Sequence, residues 1–321
     1  MQDTPNTFEA PPMAGLDKAE WLTRLADVAE EQGHFQPLGK RHLAAFVDAG
    51  STLLVTFESI QGIQALSETG QPLGWDTVKS LGWSCLSLIS EGDTWFRDPQ
   101  VYGYFDRLID DGFFDEFDNI LFYGAGPCGY AAAAFSVAAP GATVVAIQPQ
   151  ATLDPRVTEW DDRFTHMRRT SFTDRYGYAP DMIDAADHAF ILYDPEVELD
   201  AMHTALFTRP NVQKFRLRYM GSAVQSELIE MQALLPLLHK AGTGKLDTLG
   251  FARLLRARRT HPPYLRGVLA AIDQQDRPWL ATMVCRNVLR RLDQAPRFAR
   301  RLKQLEREAK NGHFEIPPAR L

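Results

Sequence analysis

Residues Asn119 to Gln148 read N-I-L-F-Y-G-A-G-P-C-G-Y-A-A-A-A-F-S-V-A-A-P-G-A-T-V-V-A-I-Q. A short apolar run ends in a glycine-rich turn, an alanine-rich helical segment follows, and a β-branched run from Thr143 to Ile147 closes the stretch. Such a strand–turn–helix–strand unit cannot bury itself. It needs parallel strands beside it and helices over it, which commits the chain to a layered α/β architecture. Gly124, Gly126 and Gly129 remove side chains where the backbone must bend sharply or approach a ligand, and the helix N-terminus behind them favours an anion. The turn marks the expected site.

The rest of the chain supplies the neighbours that this unit requires. Residues 1 to about 15 are Pro-rich and expected to be loose. Leu16 to Gln32 carries Trp21, Leu22, Leu25 and Val28 on one helical face, and His42 to Asp48 is expected to add a turn or two of helix. Thr52 to Phe57 and Gly82 to Ser90 predict buried strands, with a helix over Pro99 to Asp111. A polar and aromatic stretch runs from Pro149 to about Asp187, too long for a plain connection, and predicts an excursion over the sheet's edge. Ala189 to Tyr193 and Lys214 to Tyr219 predict two more strands, with Leu199 to Phe207 as the crossover helix and Ser226 to His239 as a helix behind them. After the break at Ala241 to Gly244 the chain reads as helices interrupted at His261-Pro262-Pro263, near Arg277-Pro278 and at Pro296. The fold class expected is therefore α/β, a doubly wound and mostly parallel sheet with a C-terminal all-helical extension. Its divisions are residues 1–48, an N-terminal arm and helix; 49–240, the α/β domain; and 241–321, the extension.

Composition narrows the setting. The chain has 321 residues, 45% of them hydrophobic and 23% charged, enough for a sizeable core. No run approaches the ~20 apolar residues of a membrane span, and the N-terminus lacks the basic start and apolar core of a secretory signal. Cys85, Cys128 and Cys285 form no CxxC pair, so neither a disulfide framework nor a cysteine metal site is indicated. A cytoplasmic protein with no membrane partner is expected. The net charge of −7 conceals an asymmetry: residues 241–321 hold 17 Lys and Arg against 7 Asp and Glu, and the first 240 hold 17 against 34. The basic extension is expected to dock on the acidic body through apolar helix faces and some Arg–carboxylate contacts, in the same chain or in a homodimer. No nucleic-acid motif accompanies these cations, and no nucleic-acid partner is expected.

Three readings compete for the glycine turn. Gly124-Ala125-Gly126-Pro127-Cys128-Gly129 satisfies G-x-G-x-x-G after a strand and before a helix, the dinucleotide pattern. The acid that should follow the second strand is replaced by Gln148, in Ile147-Gln148-Pro149-Gln150. The run from Tyr123 to Gln148 also resembles the first motif of S-adenosylmethionine-dependent methyltransferases, which again places an acid where Gln148 stands. The third reading covers more of the chain. From about Thr52 to Leu228 it resembles α/β-hydrolase-like proteins, particularly those found beside bacterial polysaccharide genes. Tyr123-Gly124-Ala125-Gly126-Pro127-Cys128-Gly129-Tyr130-Ala131-Ala132 is similar, without a gap, to their elbow Y-G-S-S-M-G-G-Y-A-A. Glu58-Ser59-Ile60-Gln61-Gly62 falls where their oxyanion loop begins, Asp93-Thr94-Trp95-Phe96 where a short S-W-Y-like motif stands, and Tyr193-Asp194-Pro195 at the strand end that carries the triad acid.

That resemblance implies the fold and, residue by residue, argues against the usual activity. The nucleophile position is Gly126, and the segment expected to carry the base, Arg218-Tyr219-Met220-Gly221-Ser222-Ala223, has no imidazole. Asp194 alone remains of the three roles. Cys128 is the alternative nucleophile for an atypical hydrolase or acyltransferase, although it lies two positions beyond the elbow's apex. His203, about nine residues after Asp194, reads as structural. A phosphoadenylyl-sulfate reductase is a further alternative, with Cys285 in M-V-C-R-N-V lacking that family's Glu-Cys-Gly setting. The function expected is non-catalytic binding of an unknown small molecule or protein, with no cofactor and no metal. Gly124, Gly126, Gly129, Ser59, Gln61, Trp95 and Gln148 are the expected ligand-binding residues, and Cys128 and Asp194 the catalytic candidates.

Overall fold

The computed structural model describes residues 8–318. Its strands are β1 (Gly33–Leu38), β2 (His42–Val47), β3 (Thr52–Ser59), β4 (Ser84–Ser90), β5 (Asn119–Ala125), β6 (Thr143–Ile147), β7 (His188–Tyr193) and β8 (Val212–Arg216). They form one eight-stranded sheet in the order β1-β2-β4-β3-β5-β6-β7-β8. β2 runs antiparallel to both of its neighbours, and every pairing from β4 through β8 is parallel. This order, with the second strand reversed, is that of the α/β-hydrolase fold. The strand ahead of the glycine turn is the fifth in sequence and sits mid-sheet between β3 and β6. A dinucleotide or methyltransferase sheet would begin with it.

Helices cover both faces, and the strands record this in their side chains. Leu53, Val55 and Phe57 of β3, Phe122 of β5, and Val144 and Ala146 of β6 join one core. Leu54, Leu121, Val145 and Ile147, at the alternate positions, join another. Strands buried on both faces read as continuous apolar runs, which is why these were legible in the sequence. The first core is covered by α4 (Pro99–Asp110) and α5 (Pro127–Phe135). On the opposite face lie α1 (Lys18–Gln32), α2 (Ile60–Leu66) and α3 (Leu73–Leu81). Short α6 (Pro155–Thr158) and α7 (Ala179–Met182) lie in the excursion after β6, and α8 (Glu198–Ala205) makes the crossover to β8. The edge strands are protected by composition: Pro37 lies in β1, and Lys214 in β8.

Several expectations are corrected. His42 to Val47 is strand β2 rather than helix; all six residues are buried, held between β1 and β4. β1 and β2 belong to the main sheet. The Pro-rich start is anchored across residues 8–15, where the Met13 amide donates to the Thr69 carbonyl at 2.7 Å; residues 1–7 lie outside the described residues. Ser226 to His239 is two helices, α9 (Val224–Glu230) and α10 (Leu234–Gly242), parted at Gln232 with φ 54°. Pro236 cannot donate to a preceding carbonyl, so a helix can begin near it but not run through it.

The extension holds α11 (Thr248–Leu254), α12 (Pro262–Gln274), α13 (Pro278–Leu289) and α14 (Pro296–Lys310). α12, α13 and α14 each begin on proline, whose fixed φ suits a first helical position. They enclose a core of their own around Leu265, Leu269, Cys285, Val288, Phe298 and Leu305. α11 belongs to the body instead: Phe251 stacks on Phe215 with ring centroids 3.8 Å apart, and Leu255 enters the same core. Within the chain, the described residues show no ion pair between an arginine of the extension and a carboxylate of the body. Among the described residues Arg301 pairs only within the extension, with Asp273 and Glu308, and the ion pairs that cross to the body join His261 to Glu227 and Glu230. Among the described residues no helix is long and apolar enough to cross a membrane.

Candidate functional site

The chain leaves β5 and enters α5 through a single residue, Gly126, at φ 57° and ψ −124°. That is a strained region for any residue with a side chain, and it gives the sharp strand-to-helix elbow on which α/β-hydrolases mount a nucleophile. The turn is fixed by the Gly126 amide donating to the Ile147 carbonyl at 2.8 Å. A Cβ on Gly124 would lie 2.1 Å from the Cys128 carbonyl oxygen, and one on Gly129 3.0 Å from that of Ile147. These two glycines let the helix return close over the sheet. Gly126 differs: a Cβ there would meet nothing within 4 Å. The apex points into open space.

Beside the elbow lies a cavity of about 450 Å³ at the C-terminal ends of β3 and β5, walled by α2, α3, the start of α5, and α9; Ala125 and Pro127 line it on either side of Gly126, which does not. Ala125, Pro127 and Cys128 form its floor around the elbow, and Phe57, Ile63, Leu66, Leu73 and Ile229 supply apolar wall. Its outer rim is the 67–72 loop, which the N-terminal arm holds in place. The Gln71 side-chain amide donates to the Ala10 and Pro11 carbonyls at 2.9 and 2.7 Å, and the Trp21 indole donates to the Gly70 carbonyl at 2.7 Å.

The hydrolytic machinery can be checked position by position. The apex has no side chain. The residue after the nucleophile should donate its backbone N–H to the oxyanion, and here it is Pro127, which has none. Asp194 ends β7 at the position of the triad acid, fully buried, but both its oxygens are engaged by backbone. The Glu196 amide donates to Oδ1 at 2.9 Å and the Gly221 amide to Oδ2 at 2.7 Å. The 218–223 loop, where a base should stand, is thus tied to Asp194 through its main chain. His203 lies elsewhere, with both ring nitrogens satisfied: Nε2 against Asp161 Oδ2 at 2.8 Å, and Nδ1 accepting from the Ala151 amide at 3.2 Å.

The other expected residues divide into cavity and scaffold. Ser59 and Cys128 reach the cavity. Ser59 also caps α2, its Oγ accepting from the Gly62 amide at 3.0 Å. Burial pushes the Cys128 thiol up, and Glu58 and Asp93 push it the same way, so it is protonated at neutral pH. Gln61 is spent on the Gly92 amide, which donates to its Oε1 at 3.0 Å. Trp95 is buried against Phe164 and donates to Gln150 Oε1 at 3.1 Å, away from the cavity wall. Gln148, at φ 48°, bridges β6 to the 218–223 region. Its Nε2 donates to Asp200 Oδ2 at 2.6 Å, and its Oε1 accepts from the Val224 amide at 3.0 Å. Both polar atoms of that amide are engaged within the fold.

One cavity residue was not anticipated. Glu58 ends β3, lines the cavity, and accepts hydrogen bonds from the Thr56 hydroxyl at 2.8 Å and the Leu73 amide at 3.0 Å. Burial pushes its carboxyl up to about 7, against the lowering effect of those two hydrogen bonds. The signal was an acid closing the apolar run L-L-V-T-F, where a strand buried on both faces delivers its last side chains to the sheet's C-terminal edge.

No family model matches the sequence, and no curated protein matches it. Solved structures that resemble it include the acylaminoacyl peptidase of Pyrococcus horikoshii, at 10% identity and TM-score 0.44, over 69% of this chain and 43% of that one. The chain thus spans less than half the length of that peptidase. A Pyrobaculum calidifontis esterase is 14% identical with TM-score 0.43, covering 70% of this chain and 89% of the esterase. The capsule O-acetyltransferase of Neisseria meningitidis serogroup A is 11% identical with TM-score 0.38, covering 61% and 91%. Strand order and elbow geometry, rather than these distant likenesses, carry the fold.

Proposed function

We propose that this chain is a non-catalytic binding protein on an α/β-hydrolase scaffold, taking a small molecule into the cavity beside Gly126. The observation that carries the reading is the Gly126-Pro127 pair at the elbow. One residue removes the nucleophile and the next removes the oxyanion donor, while the bend, the helix and the open space above them are all kept. An elbow retained without its chemistry is expected where the cavity it shapes still has a use. Asp194, with its carboxylate committed to the Glu196 and Gly221 amides, serves as a loop anchor rather than as the orienting acid of a triad.

Purified protein incubated with p-nitrophenyl acetate should release nitrophenolate no faster than the same protein carrying Cys128→Ala. Gly126→Ser should add nothing, since the 218–223 loop carries no imidazole and Pro127 has no amide proton to give. Wild-type turnover that Cys128→Ala abolishes would overturn the reading and assign the chemistry to the thiol.

A further inference from the structure

The cavity has a charge character that its fold does not require. Four carboxylates line it, Glu58, Glu68, Asp76 and Asp93, and no Lys, Arg or His does. They are not equivalent. Glu68, Asp76 and Asp93 are exposed, whereas Glu58 is largely withdrawn from water beside Cys128 and Gln225. An independent feature lies at the same end. The Tyr123 hydroxyl is wholly buried behind the cavity wall, with the Gln225 side chain as its nearest hydrogen-bonding group and Glu58 and Cys128 close by. Tyr123 pairs in register with Thr56, so its ring shares the sheet face of Thr56 and Glu58.

We infer that the cavity beside Gly126 binds a small organic cation, an amine or a quaternary ammonium carried on an apolar body. The inference rests on the reading that the cavity binds rather than turns over its ligand. Phe57, Ile63, Leu66 and Ile229 receive the apolar part, and Glu58 receives the charge. The exposed carboxylates draw cations toward the mouth and repel anions, an effect concentrated by low-dielectric walls. A carboxylate in such a place, held by a hydroxyl and an amide but by no cationic group, is costly when ionised, and an entering cation offsets that cost. The same field disfavours phosphates, nucleotides and acyl carriers bearing them.

Calorimetry on the full-length protein at pH 8 tests this with three indoles alike in shape: tryptamine, tryptophol and indole-3-acetate. Agmatine and choline serve as cations without the ring. The expected result is saturable binding of at least one cation, with tryptophol and indole-3-acetate at least tenfold weaker than tryptamine if tryptamine is that cation. Glu58→Gln should weaken the bound cation at least tenfold. Should that variant not fold, the exposed pair Glu68→Gln with Asp93→Asn should weaken it at least threefold and leave tryptophol unchanged. Equal binding of the three indoles, or no binding by any of the three cations, would overturn the inference. The first outcome would leave the cavity a binding site of another specificity. Ester turnover would instead strike at the non-catalytic reading, whatever the indoles do.

Discussion

At the residue scale, Glu58 sets a distinctive dependence of stability on pH. Its carboxyl is raised from 4.5 to about 7 in the folded chain, chiefly by burial. The folded state therefore holds its proton more tightly than the unfolded state does. The associated stability is fully present below about pH 4.5, and it is lost as pH rises through about 7. Up to about 3 kcal/mol is at stake, less whatever the water in the cavity screens. Glu58→Gln should leave the melting temperature at pH 5 almost unchanged and raise it at pH 8. A variant that loses stability equally at both values would show the carboxyl to be a structural hydrogen-bonder and nothing more. Glu58 was hard to see in the sequence because an acid at a strand end reads as a solvated terminus. Pro127 was in plain view, but a residue matched to a motif by position hides the loss of a backbone donor.

Among the elements, legibility followed burial. β3, β4 and β5 are apolar on both faces and announce themselves, and the prolines that open α12, α13 and α14 mark those helices from the sequence. β1 was missed because an edge strand with a proline and only one buried residue gives no periodicity, and without it β2 had no visible partner. α11 reads in the sequence as the start of the extension, yet its apolar residues pack on β8, a pairing visible only once the sheet is laid out. Phe251 is the hinge of that contact, buried and stacked on Phe215. Phe251→Ala should lower the unfolding free energy by ~3–5 kcal/mol, measured by urea titration. A loss below ~1 kcal/mol would mean that α11 is held chiefly by its neighbours in the chain.

For the whole molecule, two separate cores in the C-terminal part predict different outcomes for two truncations. Ending the chain after Gly244 strips α11 from β8 and uncovers Phe215, which should drive the body to aggregate. Ending it after Thr260 removes only helices that surround their own core, together with the contacts of His261 and Tyr264, and should leave the body soluble and cooperatively folded. Light scattering and a single melting transition distinguish the cases, and aggregation of the longer fragment would show the helical core to be an obligate part of the body. The same picture accounts for the basic extension: among the described residues none of its arginines pairs with a carboxylate of the body.

The elbow also bears on how such a chain can change over generations. To carry acyl chemistry by a serine-type triad it would need a hydroxyl or thiol at position 126, an N–H at 127, and an imidazole in the 218–223 loop that Asp194 anchors through a backbone amide. Catalytic groups of this kind act as a unit, so one or two of the three confer little. A side chain at 126 would intrude on whatever occupies the open space, and a third change would have to remake a settled loop. Each intermediate loses before the last one gains. On the non-catalytic reading proposed above, one proline beside one glycine leaves acyl transfer at this elbow with no easy route.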